Sequence, residues 1–299
     1  MEAVLQAVLA AAPPTPFSSV EAFRVEWHAR RGAWPLPVDQ AILGGALADR
    51  LGYAFAAGYA AALARLVPEL GATVACLCVT EAGGAHPRAI QTALTPVGTG
   101  FVLTGRKQWA TLAGVSDVLL VAASRGRDGD RNDIVLVRVS ADTSGVSLLP
   151  MPATPFSPEI PHYEVALDAV PVGVDDVLPG DGYARYIKPF RTVEDIHVCA
   201  AAVAHLVVVA RGAAWPPALV SRLLSLLVGF RTLALADPED AGVHVALAGS
   251  LATLREVLRD CPWESVEPEI AARWHRDAPL LGIAERARVA RFERAWKKV

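Results

Sequence analysis

The spacing of hydrophobic positions changes twice along this chain. Residues 1–72 and 179–299 show the apolar spacing of amphipathic helices, whereas residues 73–178 alternate in the two-residue period of strands. We therefore predict three domains with these boundaries: an N-terminal helical domain, a central antiparallel β-barrel or sandwich domain, and a C-terminal helical bundle. The predicted fold class is α+β multidomain.

Prolines, glycines and capping residues set the predicted helix boundaries. Ser18 and Ser19 precede a helix over residues 20–31, and Asp39 is the predicted cap of a helix over residues 40–51. A run of small residues in the next helix, residues 53–66, permits close packing against a helix or sheet. Further helices are predicted over 1–12 (closed by Pro13 and Pro14), 183–211, 217–236, 238–260, 268–276 and 284–298.

Short strands separated by turn residues fill the middle of the chain. Their regular spacing is typical of a small antiparallel barrel or sandwich. The charged loop over residues 125–131 is read as a solvated hairpin tip, with phosphate binding as the alternative. The predicted strands cover residues 73–79, 91–97, 100–103, 107–111, 118–123, 134–139, 146–149 and 163–167.

Composition excludes several classes of function. With 299 residues, 53% hydrophobic content and a net charge of -3, the chain can bury a large core and has no basic field for nucleic acid. The N-terminus does not resemble a signal peptide, and the longest uncharged runs, 51–64 and 198–210, are shorter than the ~20 residues that span a bilayer. The cysteines lack a C-x-x-C spacing, so we expect buried thiols in a reduced, cytoplasmic protein.

The sequence lacks the common catalytic motifs and metal-ligand spacings, and two other segments stand out. Residues 78–87 read C-V-T-E-A-G-G-A-H-P, which places a threonine beside a glycine pair. Residues 106–111 read R-K-Q-W-A-T, which places a threonine beside an indole. A hydroxyl next to a flat or open surface suits a flat ligand, although the same residues also make ordinary turns and strand edges.

These segments resemble the acyl-CoA dehydrogenase family. Residues 78–84 are similar to its V-T-E-P-G-A-G-S-D turn, and residues 100–111, G-F-V-L-T-G-R-K-Q-W-A-T, are similar to its Y-x-L-N-G-x-K-x-W-I-T hairpin. Residues 163–183 resemble its exit strand, E-x-x-F-x-x-V-x-V-P, followed by a glycine-rich turn. The likeness covers residues 72–183 well and the flanking helices more loosely.

The resemblance implies a cofactor and its contacts. It implies FAD between the central domain and the C-terminal helices, with an acyl thioester, acyl-CoA in most members, as substrate. The implied cofactor-binding residues are Val79, Thr80, Ala85, His86, Trp109 and Thr111. For the tryptophan the physical reason is its large face, which can pack against an isoalloxazine ring; a structural role is the alternative for each residue.

The resemblance also implies a reaction, the α,β-dehydrogenation of the acyl group with hydride transfer to FAD, in which a carboxylate removes the α proton. Some members carry this base on the first helix after the β-domain. Glu194 falls near that position and is the predicted catalytic residue, with Asp195 as the alternate. Glu194 is also placed to pair with Arg191 at i, i+3 instead.

Several departures from the family pattern keep other functions open. Ala82 replaces the proline of the turn, His86 and Pro87 replace the serine and aspartate after the glycines, and no Gly-Gly-x-Gly-Tyr stretch follows residue 183. A non-catalytic binding or assembly subunit, or a flavin-dependent oxidase or hydroxylase, are the alternatives. We expect a homo-oligomer, dimer or tetramer, or a complex with a homologous subunit. The last helix, with six basic and two acidic residues, is read as a surface or interface helix, with a basic arm for phosphate or an acidic partner as the alternative.

Overall fold

A computed structural model describes residues 1–13, 15–129 and 131–299, which fold into two compact units. The helical unit comprises Met1–Arg65, Thr154–Glu159 and Thr192–Val299, and the sheet unit comprises Leu66–Ala153 and Ile160–Arg191. The predicted order of helices, sheet and helices is confirmed, while the domain boundaries at residues 72/73 and 178/179 stay a prediction. Pro14, predicted to help close the first helix, and Asp130, in the predicted charged loop, lie outside the described residues.

The helices lie close to their predicted positions. The second begins at Val20 because the Ser19 hydroxyl accepts a hydrogen bond from the backbone N–H of Ala22, at 3.2 Å. The helices are α1 (Glu2–Ala10), α2 (Val20–Arg31), α3 (Pro37–Leu47), α4 (Leu51–Leu66), α5 (Lys188–Gly212), α6 (Pro217–Leu235), α7 (Ala241–Arg259), α8 (Pro268–Asp277) and α9 (Glu285–Trp296).

The predicted cap of α3 is wrong. The helix begins at Pro37, whose fixed φ suits a first helical position, so Asp39 lies inside the first turn. Its carboxylate instead forms a two-point ion pair with Arg231 of α6, with Oδ1–Nε at 2.5 Å and Oδ2–Nη2 at 2.9 Å. A distant partner, which the local sequence does not reveal, therefore decides the role of this aspartate.

Glycines allow α3 and α4 to lie directly against α5. A Cβ atom on Gly45 would lie 2.0 Å from the carbonyl oxygen of Ala201, and one on Gly58 would lie 2.6 Å from the Cα of Val198. The close packing predicted for the small residues of α4 is thus confirmed. Buried side chains from α1, α3 and α5 join those of α6 and α7 in one hydrophobic core.

Within the described residues, seven strands form one curled mixed sheet in the order β1-β4-β2-β3-β7-β6, with β5 paired to β4. Strand β1 runs parallel to β4, and the β2–β3, β3–β7, β4–β5 and β6–β7 pairs are antiparallel. The strands are β1 (Ala75–Cys78), β2 (Ala93–Val97), β3 (Gly100–Thr111), β4 (Val118–Asp128), β5 (Arg131–Ser140), β6 (Val146–Pro150) and β7 (His162–Val172).

The β-domain is confirmed, with two differences from the expected strands. The sheet is mixed, because the connection through residues 79–92 returns the chain to a position parallel to β4. The two strands predicted over 100–103 and 107–111 are one long strand, β3. That strand carries both halves of the predicted hairpin motif and therefore positions the candidate site.

Two helical segments are long and apolar enough to cross a membrane by length and composition, which the uncharged runs in the sequence did not indicate. The first is a single helix, Tyr183–Gly212, that opens with a π-helical turn over Tyr183–Ile187, and 89% of its apolar window is buried inside the protein. The second is α6, with 33% of its window buried. Core helices of proteins pass the same test, so this finding is weak evidence for a membrane span.

Candidate functional site

The turn that follows β1 is closed by its own backbone. The N–H of Glu81 donates to the carbonyl oxygen of Gly84 at 3.1 Å, and the N–H of Gly84 donates back to the carbonyl oxygen of Glu81 at 2.8 Å. Gly84 has a φ of 97°, which side chains disfavour, so a glycine is required there. Val79 is buried and Thr80 half-buried just before this turn.

A buried ion pair joins this turn to β3. The Nζ of Lys107, whose side chain is 0% exposed, lies 2.6 Å from Oε1 of Glu81. The same carboxylate accepts hydrogen bonds from the backbone N–H groups of Gln91 and Thr92 at 2.8 and 3.0 Å. The N–H of Gln108 also donates to the carbonyl oxygen of Thr80 at 2.8 Å. The turn after β1 and strand β3, which contain the two motifs of the family resemblance, are therefore bonded directly to each other.

Burial and hydrogen bonding shift the pKa values of this pair. Burial lowers the pKa of Lys107, an effect that the hydrogen bond to Glu81 partly offsets. Burial opposes ionisation of Glu81, but hydrogen bonds from Lys107, Thr92 and Gln91 outweigh it and lower the pKa of this carboxyl. The Glu81–Lys107 pair is thus a structural clamp: each charge compensates the other, and the pair joins the turn to β3.

Strand β3 changes conformation at Trp109. Its pairing with β7 shifts register between Lys107 and Ala110, and Trp109 has a φ of 56°, which is uncommon for a bulky residue. The bulge leaves the Trp109 side chain 47% exposed, whereas Lys107 and Ala110 on the same strand are buried. Bulges redirect side chains in this way next to functional sites, and strained backbone persists there because the surroundings hold it.

Three residues surround this bulge. Thr111 is half-buried and lies opposite His162 in the β3–β7 register. The imidazole of His162 meets the indole of Trp109 edge-on, with ring centroids 5.7 Å apart. The backbone N–H of Trp109 donates to Sδ of Met151 at 3.2 Å, and the N–H of Met151 donates to the carbonyl oxygen of His162 at 2.9 Å.

Ala85 and His86 lie in the loop after the turn. Ala85 is half-buried, and His86 is exposed, with its Nδ1 accepting a hydrogen bond from the N–H of Arg88 at 3.2 Å. The structure therefore shows a local capping role for His86. Its predicted contact with a cofactor stays a prediction, as does that of Ala85.

The predicted base lies in the helical unit, on α5. Glu194 is half-buried, whereas the adjacent Asp195 is 5% exposed and bound by two guanidinium groups. Arg288 reaches Oδ1 of Asp195 at 2.7 Å, and Arg291 pairs with its Oδ2. Asp195, the alternate base, is therefore committed to a structural ion-pair network.

The arginines of the charged hairpin between β4 and β5 have partners both inside and outside it. Arg125 forms an ion pair with Asp133 at 3.0 Å, and Arg127 donates to the carbonyl oxygen of Arg88 at 2.9 Å. An open cleft of about 420 Å³ lies beside it, lined by residues 90–91, 93–96 and 124–127. The predicted hairpin is confirmed as β4 and β5; the alternative phosphate-binding role stays a prediction.

The sequence predicted roles for the tryptophan and both threonines, whereas three residues around them were not predicted. Lys107 lay inside a quoted motif, and its spacing of four from buried Leu103 puts both on one face of β3, which was an available signal. His162 and Met151 gave no local signal, since their roles depend on pairing between separate strands. Glu194 lies in the helical unit.

A sheet domain stands between two groups of helices in sequence, with a strained tryptophan near the end of its long strand β3, and this is the acyl-CoA dehydrogenase fold. A sequence model of the acyl-CoA dehydrogenase middle domain matches residues 76–170. Residues 76–170 thus match the middle domain of this family, and the resemblance read from the sequence is confirmed. Among curated proteins, none is similar enough in sequence to match.

Solved structures share the whole fold at low sequence identity. Butyryl-CoA dehydrogenase from Megasphaera elsdenii is similar over 99% of this chain and 88% of its own, with a TM-score of 0.64 and 15% identity. The FAD complex of PigA is similar over 99% and 93%, with a TM-score of 0.67 and 12% identity. The prolyl acyl carrier protein oxidase AnaB is similar over 88% and 84%, with a TM-score of 0.62 and 14% identity. Identities in this range show the fold alone.

Proposed function

We propose that this chain is a flavin-dependent oxidoreductase that binds FAD and removes hydrogen from the α and β carbons of an acyl thioester. The observation that carries the proposal is the bulge at Trp109. It presents a half-exposed indole beside Thr111, at a cost in backbone strain, on a strand clamped to the Thr80 turn. Exposure of the Trp109 indole costs backbone strain and is not required by the packing of the sheet. This supports a ligand-binding role for the tryptophan.

The residues at this bulge suit a flavin. The indole offers a flat apolar face, and Thr80 and Thr111 offer hydroxyls on the two joined segments. Space around Gly84 is open, since a Cβ there would meet nothing within 4 Å. A buried ring nitrogen of His162 without a hydrogen-bond partner adds a polar atom that a ligand would satisfy. PigA, which shares the fold, has been solved as an FAD complex.

In this proposal FAD, when bound, would supply the chemistry of hydride acceptance. Val79, Thr80, Trp109 and Thr111 hold its ring, and Ala85 and His86 lie along the loop toward the rest of the cofactor or the substrate. Glu194 holds the proton taken from the α carbon. Asp195 would first have to release two guanidinium groups, so Glu194 is the better candidate of the two.

The substrate class is an acyl thioester, carried by coenzyme A or by a carrier protein. The names of two proteins with this fold support both carriers: butyryl-CoA dehydrogenase and the prolyl acyl carrier protein oxidase AnaB. The second name also supports an oxidase as the alternative reaction. Oxygen consumption coupled to substrate oxidation distinguishes the oxidase from a dehydrogenase, which needs another electron acceptor.

Flavin binding and bleaching test the proposal. Purified chain titrated with FAD should bind it with a changed visible spectrum, and addition of acyl-CoA or acyl-carrier thioesters should bleach that band. T111V should weaken FAD binding, whereas T104V, at an exposed position of the same strand, should not. E194Q should keep FAD and lose bleaching, whereas E256Q, exposed on α7, should keep both. No FAD uptake at tens of micromolar would exclude a flavoenzyme and leave the binding or assembly subunit.

We also propose a cytoplasmic homo-oligomer. The cysteines among the described residues are free and buried, as expected of a reduced compartment. Helix α6 is apolar, yet only 33% of its window is buried, which supports an interface with another subunit. Light scattering coupled to gel filtration measures the oligomeric state, and a monomer at micromolar concentration would contradict this.

A further inference from the structure

His162 lies between two residues that the proposed function assigns to the cofactor. It is the first residue of β7, and it faces Thr111 directly across the β3–β7 pair. Residues opposite each other in an antiparallel pair project from the same face of the sheet. Its ring also meets the indole of Trp109 at 5.7 Å and an angle of 71°. Any flat ligand that rests on Trp109 and Thr111 therefore comes within reach of this imidazole.

The Nδ1 atom of His162 is buried and has no partner with hydrogen-bond geometry in the described part of the chain, and the polar contact that the ring makes is with the backbone of Ile160. An unsatisfied buried polar atom destabilises the fold, so native proteins rarely keep one without a use. This cost adds to the backbone strain of Trp109 in the same corner of the sheet. Because both features lie beside Thr111, at the proposed cofactor site, they support a bound partner that completes this corner.

We propose that His162 is a cofactor-binding residue whose Nδ1 forms a hydrogen bond with a polar atom of the bound flavin ring. The inference rests on the proposed function, since it requires FAD at Trp109. Burial lowers the pKa of His162 and outweighs the opposing effect of a hydrogen bond with the backbone of Ile160, so the imidazole is neutral at neutral pH and offers either a donor or an acceptor according to its tautomer. A neutral partner leaves the charge of the cofactor site unchanged.

Two substitutions of similar size separate the nitrogen from the shape of the side chain. Asn places a polar atom near the position of Nδ1, and Leu places a methyl group there. H162L should weaken FAD binding about tenfold and change the visible flavin spectrum, because a hydrogen bond is lost. H162N should stay within about threefold of the wild type. The control is H275L on α8, where His275 also meets a tryptophan edge-on, Trp263 at 5.4 Å.

The stability of the apoprotein distinguishes a ligand role from a packing role. If Nδ1 waits for a ligand, H162L removes an unsatisfied polar atom, and its apoprotein should unfold at the same or a higher urea concentration than the wild type. Loss of apoprotein stability in parallel with loss of affinity would overturn the inference. Wild-type affinity and spectrum in H162L would also overturn it while leaving the proposed function intact. Failure of the wild type to bind FAD would overturn both.

Discussion

Replacing Lys107 with methionine tests whether the ion pair beneath the candidate site holds the two motifs together. The ammonium group is completely buried, 2.6 Å from Glu81 and 3.5 Å from the carbonyl oxygen of Val79. Methionine keeps most of the length and volume of the side chain, so the substitution removes the charge and leaves the packing largely in place. Only the electrostatic and hydrogen-bonding role of the lysine is then lost.

The expected loss of stability follows from what remains around Glu81. Removing one partner of a buried ion pair costs about 3–5 kcal/mol, because the other charge is left buried without compensation. The carboxylate of Glu81 keeps hydrogen bonds from Gln91 and from both the N–H and the hydroxyl of Thr92, so we expect a loss of about 3 kcal/mol, near the lower limit.

Arg106 supplies a matched control on the same strand. It pairs with Glu164 at the same distance, 2.6 Å, but its side chain is 68% exposed. Exposed pairs contribute about 0–1 kcal/mol, so R106M should change the free energy of unfolding by less than about 1 kcal/mol. The two variants therefore differ in burial and not in the length of the ion pair.

Urea denaturation followed by circular dichroism measures both variants, with equal m-values as the condition for comparing them. The double variant E81Q/K107M should be more stable than K107M, because it no longer buries an uncompensated charge. If K107M loses no more stability than R106M, the clamp does not hold the turn. The Glu81–Lys107 pair would then have no part in positioning Thr80 and Trp109.

Three further predictions follow from other positions. S157G should stabilise the protein by about 1 kcal/mol, because Ser157 has a φ of 45° and a buried hydroxyl without a partner; a lower melting temperature would contradict this. G58A should cost about 1–3 kcal/mol through its clash with Val198, whereas G229A, in open space on α6, should gain up to about 1 kcal/mol; equal effects in denaturation would refute the packing argument. The pKa of Glu81 lies below its ordinary 4.5 in the folded protein. Ionised Glu81 therefore contributes its full share of folding stability above pH 4.5, and this share is lost as the pH falls through the lowered pKa. E81Q should remove this dependence and flatten the acid limb of a plot of unfolding free energy against pH.

Local signals in the sequence predicted most of the secondary structure. The serine cap at Ser19 fixed the start of α2, and alternating residues located the strands. The start of α3 was misjudged, since Asp39 pairs with Arg231 in a helix far along the chain. The bulge at Trp109 was also out of reach, because a bulge is a property of the pairing of β3 with β7 and not of either strand alone.

The residues of the candidate site also divide into those with a local signal in the sequence and those without one. Thr80, Trp109 and Thr111 were predicted because each belongs to a short motif with a recognisable neighbour. The partner of Lys107 is 26 positions away in sequence, and His162 lies opposite Thr111 on another strand. Contacts at such separations are set by tertiary packing, so the sequence indicated where a ligand could rest but not which residues support it.

Adjacent carboxylates on α5 show how the structure narrows a choice that the sequence left open. Glu194 and Asp195 differ by one position, and successive residues on a helix point about 100° apart. Asp195 therefore faces the last helix, where Arg288 and Arg291 bind both of its oxygens. This pairing also withdraws two arginines from the basic surface that the sequence of α9 indicated, which weakens the idea of a basic arm. A base must accept a proton without dismantling the fold around it, and Asp195 meets that condition poorly. Glu194 therefore stays the predicted base on this helix.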